Sequence, residues 1–190
     1  MGTFASNLLI YGSSLHAVKG HYRQVGRPAY VAPLDGKAIL VAEGPIEGRD
    51  SEAESLSRSL SCATLICDIF DSDVLIVELI RNGERMDYYV SNEEMLQWMS
   101  MDVEFPRSMP FTPAARARLW CECLGKPEHE ARLTEVLAAP NMEEYVFVEE
   151  YQAALWQALE LPTAAIGVDF RYLVQGVVPS GLDGVVERVE

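Results

Sequence analysis

The chain predicts an α+β fold, in which a ferredoxin-like β-α-β-β-α-β core is extended by an antiparallel meander and completed by a mainly helical C-terminal half packed on it. Three observations carry this. Residues 62–91, reading CATLICDIF-DSD-VLIVELI-RNG-ERMDYYVS, hold three apolar-rich runs separated by two turn signals. Upstream of them, strand-like runs alternate with helical segments in the order such a core requires. Downstream of Ser91 the pattern becomes helical.

Thr3 to Tyr11 reads as the first strand. Ser13 or Ser14 can cap a helix to about Gln24, closed by Gly26. Pro28 opens an extended run over Ala29 to Leu34, Asp35-Gly36 signals a tight hairpin, and Lys37 to Ala42 returns. Ser51 with Glu54 makes a capping box for a helix ending near Leu60. The meander follows, with Val74 to Arg81 and Glu84 to Val90 as two further antiparallel strands.

Ser91 and Glu94 offer another capping box, leading into Met95, Leu96, Trp98 and Met99. Thr112-Pro113 is a helix start with Thr as cap and Pro at the first position. Ala117, Trp120, Cys121 and Leu124 then recur at helical spacing, and Gly125 closes the segment. Glu128 to Ala138 predicts a short helix. Asn141 and Glu144 begin a longer one with Val148, Tyr151, Leu155 and Leu159 inside. Ala165 to Val174 reads as a late strand and the tail as irregular. The expected organisation is residues 1–91 as the sheet region and residues 92–190 as a mainly helical region, packed together as a single unit.

A chain of 190 residues can bury a sizeable core without a metal or disulfide staple. The net charge is -14, and it is uneven: residues 1–91 carry 12 acids and 8 bases, residues 92–190 carry 17 and 7. Such a surface repels nucleic-acid phosphates and anionic lipid, and attracts a cation or a basic protein. No run approaches the roughly 20 apolar residues of a membrane span, and no basic segment precedes an apolar one at the N-terminus. Cys62, Cys67, Cys121 and Cys123 form no CxxC pair, which suits reduced thiols and a cytoplasmic location. His16 and His21 are five apart and share no helix face, and His129 stands among acids as an exposed residue. The segment 44–48 (GPIEG) is no phosphate loop, and neither a cofactor nor a metal is expected.

The chemistry worth testing lies in the meander. A two-residue Asn82-Gly83 loop pairs Arg81 with Glu84, Leu79 with Met86 and Glu78 with Asp87. Two carboxylates directly across a strand pair are destabilising unless a cation intervenes, and Arg85 is one diagonal step away. Glu78, Asp87 and Arg85 are therefore the candidate catalytic group. Ile76, Ile80 and Tyr89 are expected on the same face. Asp68, Asp71 and Asp73 lack the ligand spacing of a calcium loop and read as a turn. Trp98, Met99, Met101, Phe105, Met109 and Phe111 form a candidate partner-binding patch, because methionine and aromatic side chains adapt to varied surfaces.

Three functions are compatible with these features. The first is an acidic cytoplasmic protein that binds or inhibits a basic partner, with the charge logic of immunity-like proteins that neutralise nucleases. The second is a small-molecule-sensing regulatory domain that forms a homodimer through its sheet. The third is an enzyme using the Glu78/Asp87 pair as acid and base.

Overall fold

Strand β1 (Ala5–Tyr11) runs through the middle of a seven-stranded sheet in the computed structural model, which describes residues 2–44, 49–99, 106–138 and 145–190. Helix α1 (Leu15–Val25) follows. It is capped by the Ser14 hydroxyl, which accepts the Ala17 N–H, and closed by Gly26 at φ 66°. Strands β2 (Ala29–Pro33) and β3 (Ala38–Glu43) form a hairpin. Its connection is a 3-10 turn over Asp35–Lys37, longer than the two-residue turn expected, with Lys37 taking the left-handed conformation at φ 71°.

Helix α2 (Arg49–Leu60) leads into β4 (Ala63–Phe70), β5 (Val74–Arg81) and β6 (Glu84–Val90). Ser51 lies within α2 and not at a cap. Both turns of the meander have paired positive φ angles, at Asp71 and Ser72 and at Asn82 and Gly83, as tight hairpins require. The sheet order is β6-β5-β4-β1-β3-β2-β7, every neighbouring pair is antiparallel, and the fold class is α+β.

Helices cover both faces. On one face Leu9, Leu40, Leu65 and Leu79 meet Trp120 of α4 (Pro113–Leu124), Leu133 of α5 (Glu130–Ala138) and Leu155 and Trp156 of α6 (Val148–Ala158). The expected stripes on α4 and α6 are buried as predicted. On the other face Leu8, Ile10, Val41 and Ile66 meet Val18 and Tyr22 of α1 and Ala53 and Leu56 of α2. A third cluster joins Val74, Ile76, Tyr88 and Val90 to Leu96 of α3 (Glu93–Met99). No helix among the described residues is long and apolar enough to cross a membrane.

Several local expectations are corrected. Asn92, not Ser91, caps α3 through the Met95 N–H, because Ser91 Oγ accepts the Leu75 N–H instead. Residues 165–174 do not form a strand. A 3-10 turn over Thr163–Ala165 precedes the short helix α7 (Phe170–Val174). Asn7 of β1, buried, donates to the carbonyls of Ala165 and Val168, and Asp169 caps α7. The late strand is instead β7 (Glu187–Val189), in the tail, where it pairs with the free edge of β2 and buries Val189. His129 is not exposed: its side chain is 12% accessible and lies between Glu128 and Glu160. Asn141 and Glu144, the expected start of α6, lie outside the described residues.

The four cysteines are free and buried. Cys62 and Cys67 belong to opposite faces of the sheet. Burial pushes every thiol up, Cys121 to about 11, so each stays protonated and unreactive.

The central correction concerns register. Arg81 pairs with Glu84 and Ile80 with Arg85, but a bulge at Met86 then shifts the ladder. Glu78 pairs with Tyr88, and Asp87 with Leu79. One extra residue turns every later side chain of β6 to the opposite face. Glu78 and Asp87 are therefore on different sides of the sheet, and it is Tyr88, not Tyr89, that shares the face of Glu78. The bulge also separates two carboxylates that a regular ladder would have opposed.

Candidate functional site

Asp87 belongs to the core. It is fully buried under α4 and accepts hydrogen bonds from Arg116 Nε at 2.7 Å, Arg116 Nη2 at 3.4 Å and Trp120 Nε1 at 2.7 Å. Arg116 also donates to the Met109 carbonyl and lies 4.7 Å from the Tyr89 ring centroid. Both carboxylate oxygens are engaged by these donors, and the group is closed off from solvent. Asp87 pins α4 to β6.

Glu78 is in a different environment. It lines a cleft of about 470 Å³ on the face carrying α2, with the sheet as its floor. Ser6 of β1, Asp68 of β4, Ile76 and Glu78 of β5, and Arg85 and Tyr88 of β6 supply that floor. Arg49 and Asp50 of α2 form one wall. Phe4, Phe70 and Pro106 bring apolar surface, and Asp169 and Arg171 close the rim.

Arg49 anchors the wall. It makes a two-pronged pair with Asp68 at 2.7 and 2.6 Å, and its Nη1 also donates to Ser6 Oγ. Its buried Nε has no partner. Burial raises the Asp68 carboxyl against the pull of Arg49. Asp169 accepts the Ser6 N–H and the Arg171 N–H and Nε, while Arg171 Nη2 donates to the Phe4 carbonyl. This ties the exposed Phe4 to the rim.

Glu78 is 5% exposed. Arg85 Nε lies 2.9 Å from Glu78 Oε2, yet the N–H does not point along that line and neither atom has a hydrogen bond. The pair is held by charge alone. Arg85 Nη2 reaches Asp50 at 3.2 Å on the solvent side. Burial, and after it the charge of Asp50, raises the Glu78 carboxyl from 4.5 to about 7, against the opposing pull of Arg85. Tyr88, directly across the ladder, is pushed to about 12 by burial and then by Glu78. A carboxyl that exchanges its proton near neutrality in a cleft can accept a proton, donate one, or bind a cation.

Of the three residues that the sequence singles out, Glu78 and Arg85 line the cleft and Asp87 does not. The sequence does not single out Arg49 or Tyr88, and it presents Asp68 only as part of a turn. No local pattern marks Arg49, which becomes part of a site only when α2 crosses β4. The packing of α1 against α2 likewise buries His21 against Glu52 and Ser59, a contact that the spacing of histidines could not show. Four residues of the partner patch are described. Trp98 is 74% exposed and Phe111 is exposed beside Arg116, whereas Met99 and Met109 pack on the cluster beneath α3. Met101 and Phe105 lie outside the described residues. No group of three or more His, Cys, Asp or Glu among the described residues is arranged to hold a metal.

Comparison of the chain with protein-family models, with curated proteins and with solved structures returns no match. The site itself is therefore the ground for any functional reading.

Proposed function

We propose that this is a small-molecule-binding protein whose ligand occupies the cleft between Arg49, Glu78 and Tyr88. The observation that carries this reading is the orphaned Glu78 Oε2. It is a buried polar atom without a hydrogen bond, facing a cleft that also holds the unbonded Arg49 Nε and Arg85 Nε. Unmet groups of this kind cost free energy in the folded state and are relieved by a bound partner. The cleft volume lies within the range of small-molecule sites, roughly 300–1,000 Å³. We read β1 to β4 with α1 and α2, in the order β4-β1-β3-β2, as a ferredoxin-like core to which β5, β6 and β7 are added. Four unpaired thiols suit a reducing compartment, and we place the protein in the cytoplasm.

A thermal-shift screen of a metabolite library tests this reading. At least one compound should raise the melting temperature of the wild type, and the shift should shrink in Phe4→Ala, a change at the exposed rim. A library that moves nothing, or a shift unaffected by changes at Phe4, Glu78 and Arg85, removes the reading.

A second reading is capture of a basic protein by the acidic surface, supported by the net charge of -14 and the exposed Trp98. It predicts an association that weakens as salt rises and that Trp98→Ala diminishes. A partner bound equally well in high salt argues against it.

A further inference from the structure

The charges around the cleft are not balanced, and the imbalance points to a class of ligand. Arg49 is engaged on both Nη atoms by Asp68. Arg171 is engaged by Asp169, and Arg85 reaches Asp50. Three guanidinium groups thus face four carboxylates, with Arg85 shared between Asp50 at 3.2 Å and Glu78 at 2.9 Å. One carboxylate is in surplus, and Glu78, the most buried of the acids facing the cleft from α2, β4 and β5, has only a share of the Arg85 charge and no hydrogen bond at Oε2. Three aromatic side chains, Phe4, Phe70 and Tyr88, stand around it. Resting on the cleft reading above, we infer that the ligand is an organic amine, with its ammonium group against Glu78 and its apolar body among the aromatic rings.

The alternative charge is disfavoured by the same geometry. An anion entering the cleft finds every guanidinium already neutralised and meets Asp50, Asp68 and Glu78. The protein's net charge of -14 opposes its approach as well. An ammonium group instead supplies the hydrogen bond that Arg85 Nε does not make, and gains from the negative faces of the surrounding rings. The unpartnered Arg49 Nε offers a donor to a neutral acceptor on the ligand, such as a hydroxyl or carbonyl, since Asp68 already compensates its charge.

Proton competition follows from this placement. The groups that face Glu78 are Asp50 and Arg49 from α2, Asp68 from β4 and Arg85 with Tyr88 from β6; burial, Asp50 and Asp68 raise the carboxyl to about 7 against the opposing pull of Arg85 and Arg49. An ammonium group must displace the carboxyl proton. Affinity should therefore rise by about tenfold per pH unit up to neutrality and level off above it, while an aliphatic amine stays charged throughout.

The test uses the full chain and two probes with the same ring and opposite charge, phenethylammonium and phenylacetate. Each is titrated by calorimetry at pH 5.5, 7 and 8.5, and the Glu78 carboxyl carbon resonance is followed in parallel. The expected result is binding of phenethylammonium that strengthens with pH and shifts the Glu78 resonance to the ionised position. Glu78→Gln should lose both the affinity and its pH dependence. Phenylacetate binding in preference, with affinity falling as pH rises, overturns the amine and leaves the cleft reading standing. Neither probe moving the Glu78 resonance also overturns the amine. The cleft reading then stands or falls separately on the metabolite screen.

Discussion

Glu78→Gln is expected to stabilise the protein above neutral pH and to change little near pH 5. Glu78 holds its proton more tightly in the folded chain, where the carboxyl is raised to about 7, than in the unfolded chain, where it sits near 4.5. Between those values the folded state carries the extra proton, so stability falls as pH rises through that window and stays low above it. A difference of this size is worth roughly 3 kcal/mol once the group is fully ionised. Gln keeps the shape without the buried charge. Arg85 loses a counter-charge in the variant, but it is half-open to solvent and keeps Asp50. For a chain of this length the gain corresponds to a rise of roughly 6–12 °C in melting temperature at pH 8.5. Thermal unfolding of both proteins at pH 5 and pH 8.5 checks it. Equal shifts at the two values, or a lower melting temperature for the variant at pH 8.5, would show that Glu78 is not a buried, destabilised acid. A stabilising change at the site proposed to bind ligand is the pattern expected when a site is kept for function at a cost to the fold.

Asp87→Asn is expected to act in the opposite direction. Three donors converge on the Asp87 carboxylate: Arg116 Nε, Arg116 Nη2 and Trp120 Nε1. Asn offers one oxygen in place of two, turns an N–H₂ toward one of those donors, and leaves Arg116 buried with no counter-charge. Removing one member of a buried ion pair costs about 3–5 kcal/mol. Urea unfolding should show this loss, with the amide protection of α4 falling first because the pair joins that helix to β6. A loss below about 1 kcal/mol would mean that Arg116 finds another acceptor or reaches water. The double change Asp87→Leu with Arg116→Met should recover much of the loss, since a buried pair often contributes little over apolar residues of similar size.

The contrast between these two carboxylates shows where reading the chain reaches its limit. Counted back from the Asn82-Gly83 turn, they face each other. The first two pairs of that count hold, Arg81 with Glu84 and Ile80 with Arg85. The bulge at Met86 then sends Asp87 to the opposite face. Nothing local in Glu84 to Val90 announces it, because the residues that favour it, Arg116 and Trp120, are about 30 positions away on α4. Without them Asp87 would have no reason to turn inward.

The late strand failed for a related reason. Residues 165–174 are apolar enough for a strand, but Asn7 and the cap at Asp169 hold them in turns and a short helix. The edge of β2 is taken instead by Glu187–Val189, a segment too short and too polar to stand out. The Phe4 rim depends on the same contacts, since Asp169 and Arg171 hold it.

What the sequence determined by itself is everything governed by neighbours a few residues apart. Ser14 and Gly26 bound α1, Thr112, Pro113 and Gly125 bound α4, the two turns of the meander bend as their residue types require, and the apolar stripes of α4 and α6 are buried. These follow from backbone preference, capping and periodicity, which act over one turn of helix or one hairpin. Tertiary structure alone decided the register of β6 beyond its second pair, the partner of each buried charge, and the meeting of Arg49, Glu78 and Tyr88 around one cleft. Desolvation and charge pairing act through space, between residues up to 168 positions apart in the case of Lys19 and Glu187, and no local pattern encodes them.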